Sequence, residues 1–308
     1  VSDVPELVES VSSVGRGRGW ADTARLYVEI ARPRVIALVV FTGLPALLLG
    51  QERWPTVAEA FWILAGTAFA GAASSAFNAW VERESDARMA RTRHRPLPAA
   101  ILVPHVVLGY GALLTVLSTA ILYAVGGAWP AWIGLATIAF YVGVYTVWLK
   151  PRTPQNIVIG GAAGATAPLI ASSAMTGGPP TLAAWLLFLV VFLWTPPHFW
   201  AIAIVRRREY EAAGFPMMPS VVGDQATRWR SLGYTALLVP VTLVPVALGD
   251  LSLGYGLAAL VLGAWFLILV GRSIAFRRPP VDARVFRGSI AYLGMLFVAM
   301  IADLALVG

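Results

Sequence analysis

The chain has 308 residues, 58% of them hydrophobic and only 13% charged. Its mean hydropathy of +0.73 is more than one water-soluble core can hide, which excludes a soluble globular enzyme and indicates a polytopic membrane protein. The absence of cysteine excludes disulfides, thiolate metal sites and cysteine nucleophiles, and the net charge of +7 comes without a basic arm or aromatic-studded module, which argues against nucleic acid.

Residues 1–26 are polar and lack the apolar core of a signal peptide. They are expected to form a poorly ordered cytosolic tail ahead of a single transmembrane domain over residues 27–308. A hydrocarbon core of ~30 Å takes about 20 apolar residues to cross in a helix. Suitable runs occur at 35–50, 57–80, 101–125, 131–148, 156–175, 182–205, 232–248, 253–271 and 289–306. The expected fold is an all-α polytopic membrane bundle of about nine transmembrane helices, the first with an interfacial lead-in from Tyr27 to Arg34. With the N-terminus in the cytoplasm, every lysine and arginine except Arg53 falls on the cytoplasmic side, so span count and orientation support each other through the positive-inside rule.

The long charged connections, 81–100 and 206–229, place function on that same side. They follow the second and sixth spans, a spacing that hints at a repeat with one acidic motif per half. Pro45, Pro196, Pro197, Pro240 and Pro245 fall within spans and read as kinks. Gly160, Gly161 and Gly164 read as a small-residue face for close helix approach.

The most polar stretch, Asn78 to Leu97, ends the second span. Asn78, Glu82 and Asp86 are spaced i, i+4, i+8, so a helix continuing through them stacks their oxygens on one face. Such donors suit Mg²⁺, which is held by one or two carboxylates together with substrate phosphates. Arg83, Arg88, Arg91, Arg93 and Arg95 interleave or follow, and guanidinium forks match phosphate oxygens. The competing reading is a solvated, charge-patterned loop end that obeys topology rules. Lys150 and Arg152 stand beside Thr153, Gln155 and Asn156 at the entry to the fifth span, a place that suits either capping a diphosphate from the side opposite the acids or ordinary positive-inside anchoring. A second cluster, Arg206 to Glu211, is a poorer chelator because Glu209 and Glu211 at i, i+2 do not share a helical face. His198 lies inside the sixth span, where a histidine is a functional candidate by default; His94 and His105 read as interfacial. Walker, dinucleotide, H-E-x-x-H and G-x-S-x-G motifs are absent from the sequence, which removes nucleotide, zinc and serine hydrolysis from consideration.

The pattern N-x-x-x-E-x-x-x-D from Asn78 to Asp86, followed by Arg91-Thr92 and Arg95-Pro96-Leu97, resembles the first motif of the UbiA superfamily of intramembrane prenyltransferases. Most members carry aspartate where this chain has Glu82. Together with YTVWLKPRTPQNIVIGGAAGA (Tyr145–Ala165), WTPPHFWAIAI (Trp194–Ile204) and YEAAGFPMMP (Tyr210–Pro219), the chain looks like the protoheme IX farnesyltransferase branch of that superfamily, the heme O synthases. The resemblance runs from Glu29 to Leu306, with one departure: Glu209 stands where aspartate is usual.

That resemblance implies Mg²⁺-dependent transfer of farnesyl from farnesyl diphosphate to a vinyl group of heme B, giving heme O for terminal oxidases. It implies a multi-pass protein of the inner (cytoplasmic) membrane with its site facing the cytoplasm, and a heme A synthase as a downstream partner. The expected catalytic set is Asn78, Glu82, Asp86, Lys150 and Glu209. Metal falls to Asn78, Glu82, Asp86 and Glu209, diphosphate to Arg91, Arg95, Lys150 and Arg206, and heme to His198. A superfamily member acting on an aromatic or quinone-precursor acceptor would share the first motif, and the Trp194–Trp200 stretch argues against it. A multi-pass transporter would share the helix count, but ionisable residues deep in the spans, the mark of that class, are sparse; Asp303 is one of few.

Overall fold

The computed structural model describes residues 19–307; residues 1–18 of the expected polar tail lie outside them. Helix α1 runs over Trp20–Ala31, so residues 20–26 are helical, where the composition suggested tail. It stops at Arg32, which takes the left-handed conformation at φ 57°. The cause is local: a residue before proline is crowded out of the right-handed helical region, and Pro33 is preorganised to start a new helix. Helix α2 then covers Pro33–Gly43. Pro45 opens a short 3₁₀ turn, Pro45–Leu47, so it ends this helix and does not kink it. The pair is bent by 54° and is long enough to count as one broken span.

Helix α3, Val57–Ala87, starts on a reciprocal cap in which Thr56 Oγ1 accepts from the Glu59 N–H and the Glu59 carboxylate accepts from the Thr56 N–H. Its 31 residues reach about 46 Å, well beyond a ~30 Å hydrocarbon core. The last turns therefore carry Asn78, Glu82 and Asp86 past the apolar run on one continuous helix, as the spacing requires. Helix α4 is Pro104–Gly126. Helix α5 is Ala128–Leu149, α-helical to Ala139 and π-helical over Phe140–Leu149. Helices α6 (Asn156–Gly164) and α7 (Ala167–Thr176) form one span. Helix α8 (Leu182–Val205) keeps Pro196 and Pro197 inside it. Short helices α9 (Arg207–Ala212) and α10 (Met218–Val222) lead to α11 (Asp224–Ala247), α12 (Leu253–Phe276) and α13 (Pro279–Val307).

Among the described residues, eight helices can cross a membrane by length and composition, and the bent α1–α2 pair makes a ninth. In packing, α3 lies against α4 and α5, while α8 lies against α11 and α13. Helix α2 bridges the two groups, touching α3 and α7 and setting Phe41 against Phe297 of α13 at 6.1 Å between ring centroids. Of the three glycines read as a packing face, two behave so: Gly160 seats the Tyr145 ring and Gly161 seats Thr195 of α8. Gly164 instead faces open space.

Helices α11 and α13 begin well before their hydrophobic runs. Arg228 makes a two-pronged pair with Asp282, at 2.9 and 2.6 Å, and Ser273 at the end of α12 donates to the same carboxylate at 2.6 Å. All three are at least 95% buried, and the pairing lets these helices continue through charged residues. Asp282→Ala, which strands the Arg228 charge, is expected to cost about 3–5 kcal/mol. Thermal unfolding of the purified protein in detergent measures this; an unchanged midpoint would show the pair to be dispensable.

Candidate active site

At the end of α3, Asn78, Glu82 and Asp86 are 1%, 6% and 2% exposed. Carboxylates so buried need partners, and each has one. Glu82 is bound by Lys150 from the end of α5, so this lysine sits on the acid ladder and not on the side opposite it, as its place at the entry to the fifth span had suggested. Asp86 accepts from Arg95 at 2.9 Å. Its backbone carbonyl accepts from Thr92 Oγ1 at 2.8 Å, which folds the arginine loop back on the helix. Lys150 is further enclosed by the rings of Phe215 and Tyr145, at 4.9 and 5.9 Å.

The π-helical turn sets the other half of this contact. Its wider winding places Thr146 Oγ1 on the Tyr141 carbonyl at 2.9 Å, and Asn78 Nδ2 lies 3.2 Å from the same hydroxyl. The hydroxyl spends its only proton on the carbonyl, so it must accept from the Asn78 amide. The amide orientation is thereby fixed, and Asn78 Oδ1 is left buried with no hydrogen-bond partner. A second orphan of opposite character lies on the arginine loop. Arg91 Nε is 3.6 Å from the Glu209 carboxylate, too far for a hydrogen bond, and is buried without an acceptor. One group lacks a cation or donor, the other lacks an anion or acceptor.

Beside them is a cavity of about 720 Å³ whose walls include Arg25, Glu29, Arg32, Arg34, Asp86, Arg91 and Arg95. Two acids face five arginines there, and the surplus positive charge is felt: the Arg95 guanidinium is pushed below the ordinary arginine value, first by burial and then by the charge of Arg32. An apolar channel of about 110 Å³ shares Val35 with this cavity and continues along Ile36, Val39, Ala70, Gly71, Ser74, Tyr141 and Gly164. Small residues on α3 and Gly164 on α6 make its room.

The structure thus brings Asn78, Glu82, Asp86, Arg95 and Lys150 together, with Arg91 at the edge of the group. Glu209, in the first turn of α9, leans toward Arg91; among the described residues no three acidic or histidine side chains form a ready metal cage. The donor set nonetheless fits a hard divalent cation: an unsatisfied amide oxygen beside two stacked carboxylates, one of which, Asp86, lines the cavity. Arg206 caps α8 and is not among the cavity walls. His198 lies elsewhere, between α8 and α13, with Nδ1 2.7 Å from Ser289 Oγ. Sequence reasoning counted Arg32 and Arg34 only as topology charges, and passed over Thr146. The Arg32-Pro33 pair was the available signal, since it breaks a helix where a charged residue must then turn inward.

The UbiA prenyltransferase family model matches residues 39–301. A protein of Brucella anthropi named protoheme IX farnesyltransferase is 43% identical over 289 residues, covering 91% of each chain. A solved structure concerned with digeranylgeranylglyceryl phosphate synthase superposes with a TM-score of 0.77 at 15% identity, covering 92% of this chain and 99% of the other. A UbiA homologue of Archaeoglobus fulgidus bound to DMAPP and Mg²⁺ superposes with a TM-score of 0.65 at 15% identity, over 91% of this chain and 99% of that one. The fold is shared at low identity, and the match in sequence spans most of the chain: it belongs to the UbiA prenyltransferase family.

Proposed function

We propose that this prenyltransferase moves farnesyl from farnesyl diphosphate to a vinyl carbon of heme B, giving heme O, within one transmembrane domain over residues 27–308. The observation that carries the reading is the pair of buried orphans, Asn78 Oδ1 and Arg91 Nε, the second on the wall of an arginine-rich cavity that shares Val35 with an apolar one. A magnesium diphosphate with an isoprenoid tail answers all three features at once. The name of the Brucella relative supports farnesyl as donor group and protoheme as acceptor, and the ligands of the Archaeoglobus homologue support Mg²⁺ with a prenyl diphosphate.

In this reading Asn78, Glu82 and Asp86 would hold Mg²⁺, with Glu209 of α9 as a further carboxylate for it. When bound, the ion neutralises charge growing on the leaving diphosphate. Arg91, Arg95 and Lys150 bind the phosphate oxygens and act hardest as the allylic C–O bond breaks, which is where electrostatic stabilisation lowers the barrier. Arg206, the residue that caps α8, is assigned to the same diphosphate. The channel excludes water from the allylic cation, and Tyr141 in its wall supplies an aromatic ring, a group suited to stabilising positive charge. The terminal vinyl carbon then bonds to C1 of the farnesyl group. The new cation beside the porphyrin takes up water and loses a proton, leaving a hydroxyl. The heme O so formed would pass to a heme A synthase.

Purified protein incubated with Mg²⁺, farnesyl diphosphate and heme B should yield a porphyrin heavier by one farnesyl group and one hydroxyl. An unchanged porphyrin together with prenylation of an aromatic acid would transfer the reading to another branch of the family. The channel assignment has its own check. Gly164→Leu fills open space, so it should lower turnover of farnesyl diphosphate about tenfold, roughly 1.4 kcal/mol, while sparing dimethylallyl diphosphate. Equal loss on both donors would remove Gly164 from the tail's path.

We place the site on the cytoplasmic face of the inner membrane, on the support of the basic connections. Single cysteines at Arg93 and Arg277 should label from the cytoplasmic side and one at Ser252 from the other; labelling of all three from one side would break this topology.

A further inference from the structure

Resting on the reading that heme B is the acceptor, we infer that His198 presents Nε2 as an axial ligand to the heme iron, and that Ser289 is the positioning residue that fixes its tautomer. Ser289 Oγ lies 2.7 Å from His198 Nδ1 and 2.7 Å from the Phe286 carbonyl. The carbonyl cannot donate, so the hydroxyl proton goes to it and the oxygen accepts from Nδ1–H. In the neutral ring, Nε2 is then a bare lone pair.

The ring has little freedom to trade roles. It stacks between Trp194, at 4.2 Å and 17°, and Phe286, at 4.8 Å and 27°. Trp194 is itself pinned by Nε1–H donating to the Ser289 carbonyl at 2.7 Å. The same serine therefore holds both the ring and one of its flanks. Nε2 makes no hydrogen bond among the described residues, and it is not one of the sealed polar atoms left without a partner. It therefore keeps some accessible surface.

This arrangement chooses between two roles. A heme propionate needs a donor, and Nε2 has none to offer. Iron needs a lone pair, and ligating histidines characteristically give their second N–H to an oxygen that sets ring orientation and basicity. A histidine serving only to join α8 to α13 would not need its outer nitrogen open, since an intramembrane polar atom without a partner is costly.

The test is heme titration of the full-length protein in detergent, read by absorption, electron paramagnetic resonance and the iron–histidine stretch in resonance Raman. Wild type should show a histidine-ligated heme. His198→Gly should lose that signature, regain it on addition of free imidazole, and keep its affinity for farnesyl diphosphate. Ser289→Ala should weaken heme binding by roughly 10–100-fold and shift the iron–histidine stretch, with Ser289→Thr restoring both. An unchanged signature in His198→Gly would overturn the ligand assignment while leaving heme as acceptor intact. Wild type that neither binds nor converts heme would overturn the acceptor reading itself, and this inference with it. A Ser289→Ala protein whose iron–histidine stretch matches wild type would remove Ser289 from the arrangement.

Discussion

Asp86→Asn is expected to lower kcat by at least about 10²-fold, the cost of removing one group that stabilises developing charge, in a protein that still inserts and folds. The isosteric amide keeps the packing around a side chain that is 2% exposed and still accepts from Arg95. What it loses is the negative charge that, on this reading, holds Mg²⁺. Glu82→Gln should fall nearly as far, and it also strands the Lys150 ammonium that Glu82 now binds. A higher Mg²⁺ requirement in both variants separates metal loss from general damage. Turnover within about tenfold of wild type, roughly 1.4 kcal/mol of barrier, would take these residues out of the metal site, and full turnover in excess chelator would remove the metal.

Helix count and the acid ladder were legible because both rest on short-range rules. Apolar length marks a span, and a residue spacing of four marks a helical face. The ends of α11 and α13 were not legible, because the Arg228–Asp282 pair that carries them through charged sequence joins residues 54 apart. The cap on Asp86 was half legible. Arg95 belongs to the motif, but that Thr92 bonds the Asp86 carbonyl and turns the loop inward is a tertiary fact. The orientation of Asn78 was beyond reach, since it depends on a π-helical turn in α5 that puts Thr146 opposite it. Gly164 shows the same limit from the other side. Composition groups it with Gly160 and Gly161, while only geometry reveals that it faces the channel and not a neighbouring helix.

Arg32 is where local strain and charge meet, and it gives a prediction whose two parts have opposite signs. A non-glycine residue at φ 57° costs about 1–2 kcal/mol, and such strain persists where the surroundings hold it and often where function uses it. Here the conformation turns the guanidinium into the cavity wall with Arg91 and Arg95, close enough that its charge acts on Arg95. Arg32 pairs with no acid among the described residues, so its removal strands no buried carboxylate. Arg95→Ala, by contrast, leaves Asp86 unpaired and confounds binding with stability. Arg32→Gly relieves the strain and removes one positive charge from an over-positive cluster. Its thermal midpoint should hold or rise, even after glycine's entropic cost of roughly 0.5–1 kcal/mol. Its affinity for farnesyl diphosphate should fall by roughly 10-fold or more, as expected for one charge-assisted hydrogen bond of about 1.5–3 kcal/mol, and heme binding should be nearly unchanged. Titration calorimetry with the diphosphate, beside a melting curve, reads both parts. A variant less stable than wild type with undiminished diphosphate affinity would make Arg32 a structural hinge alone.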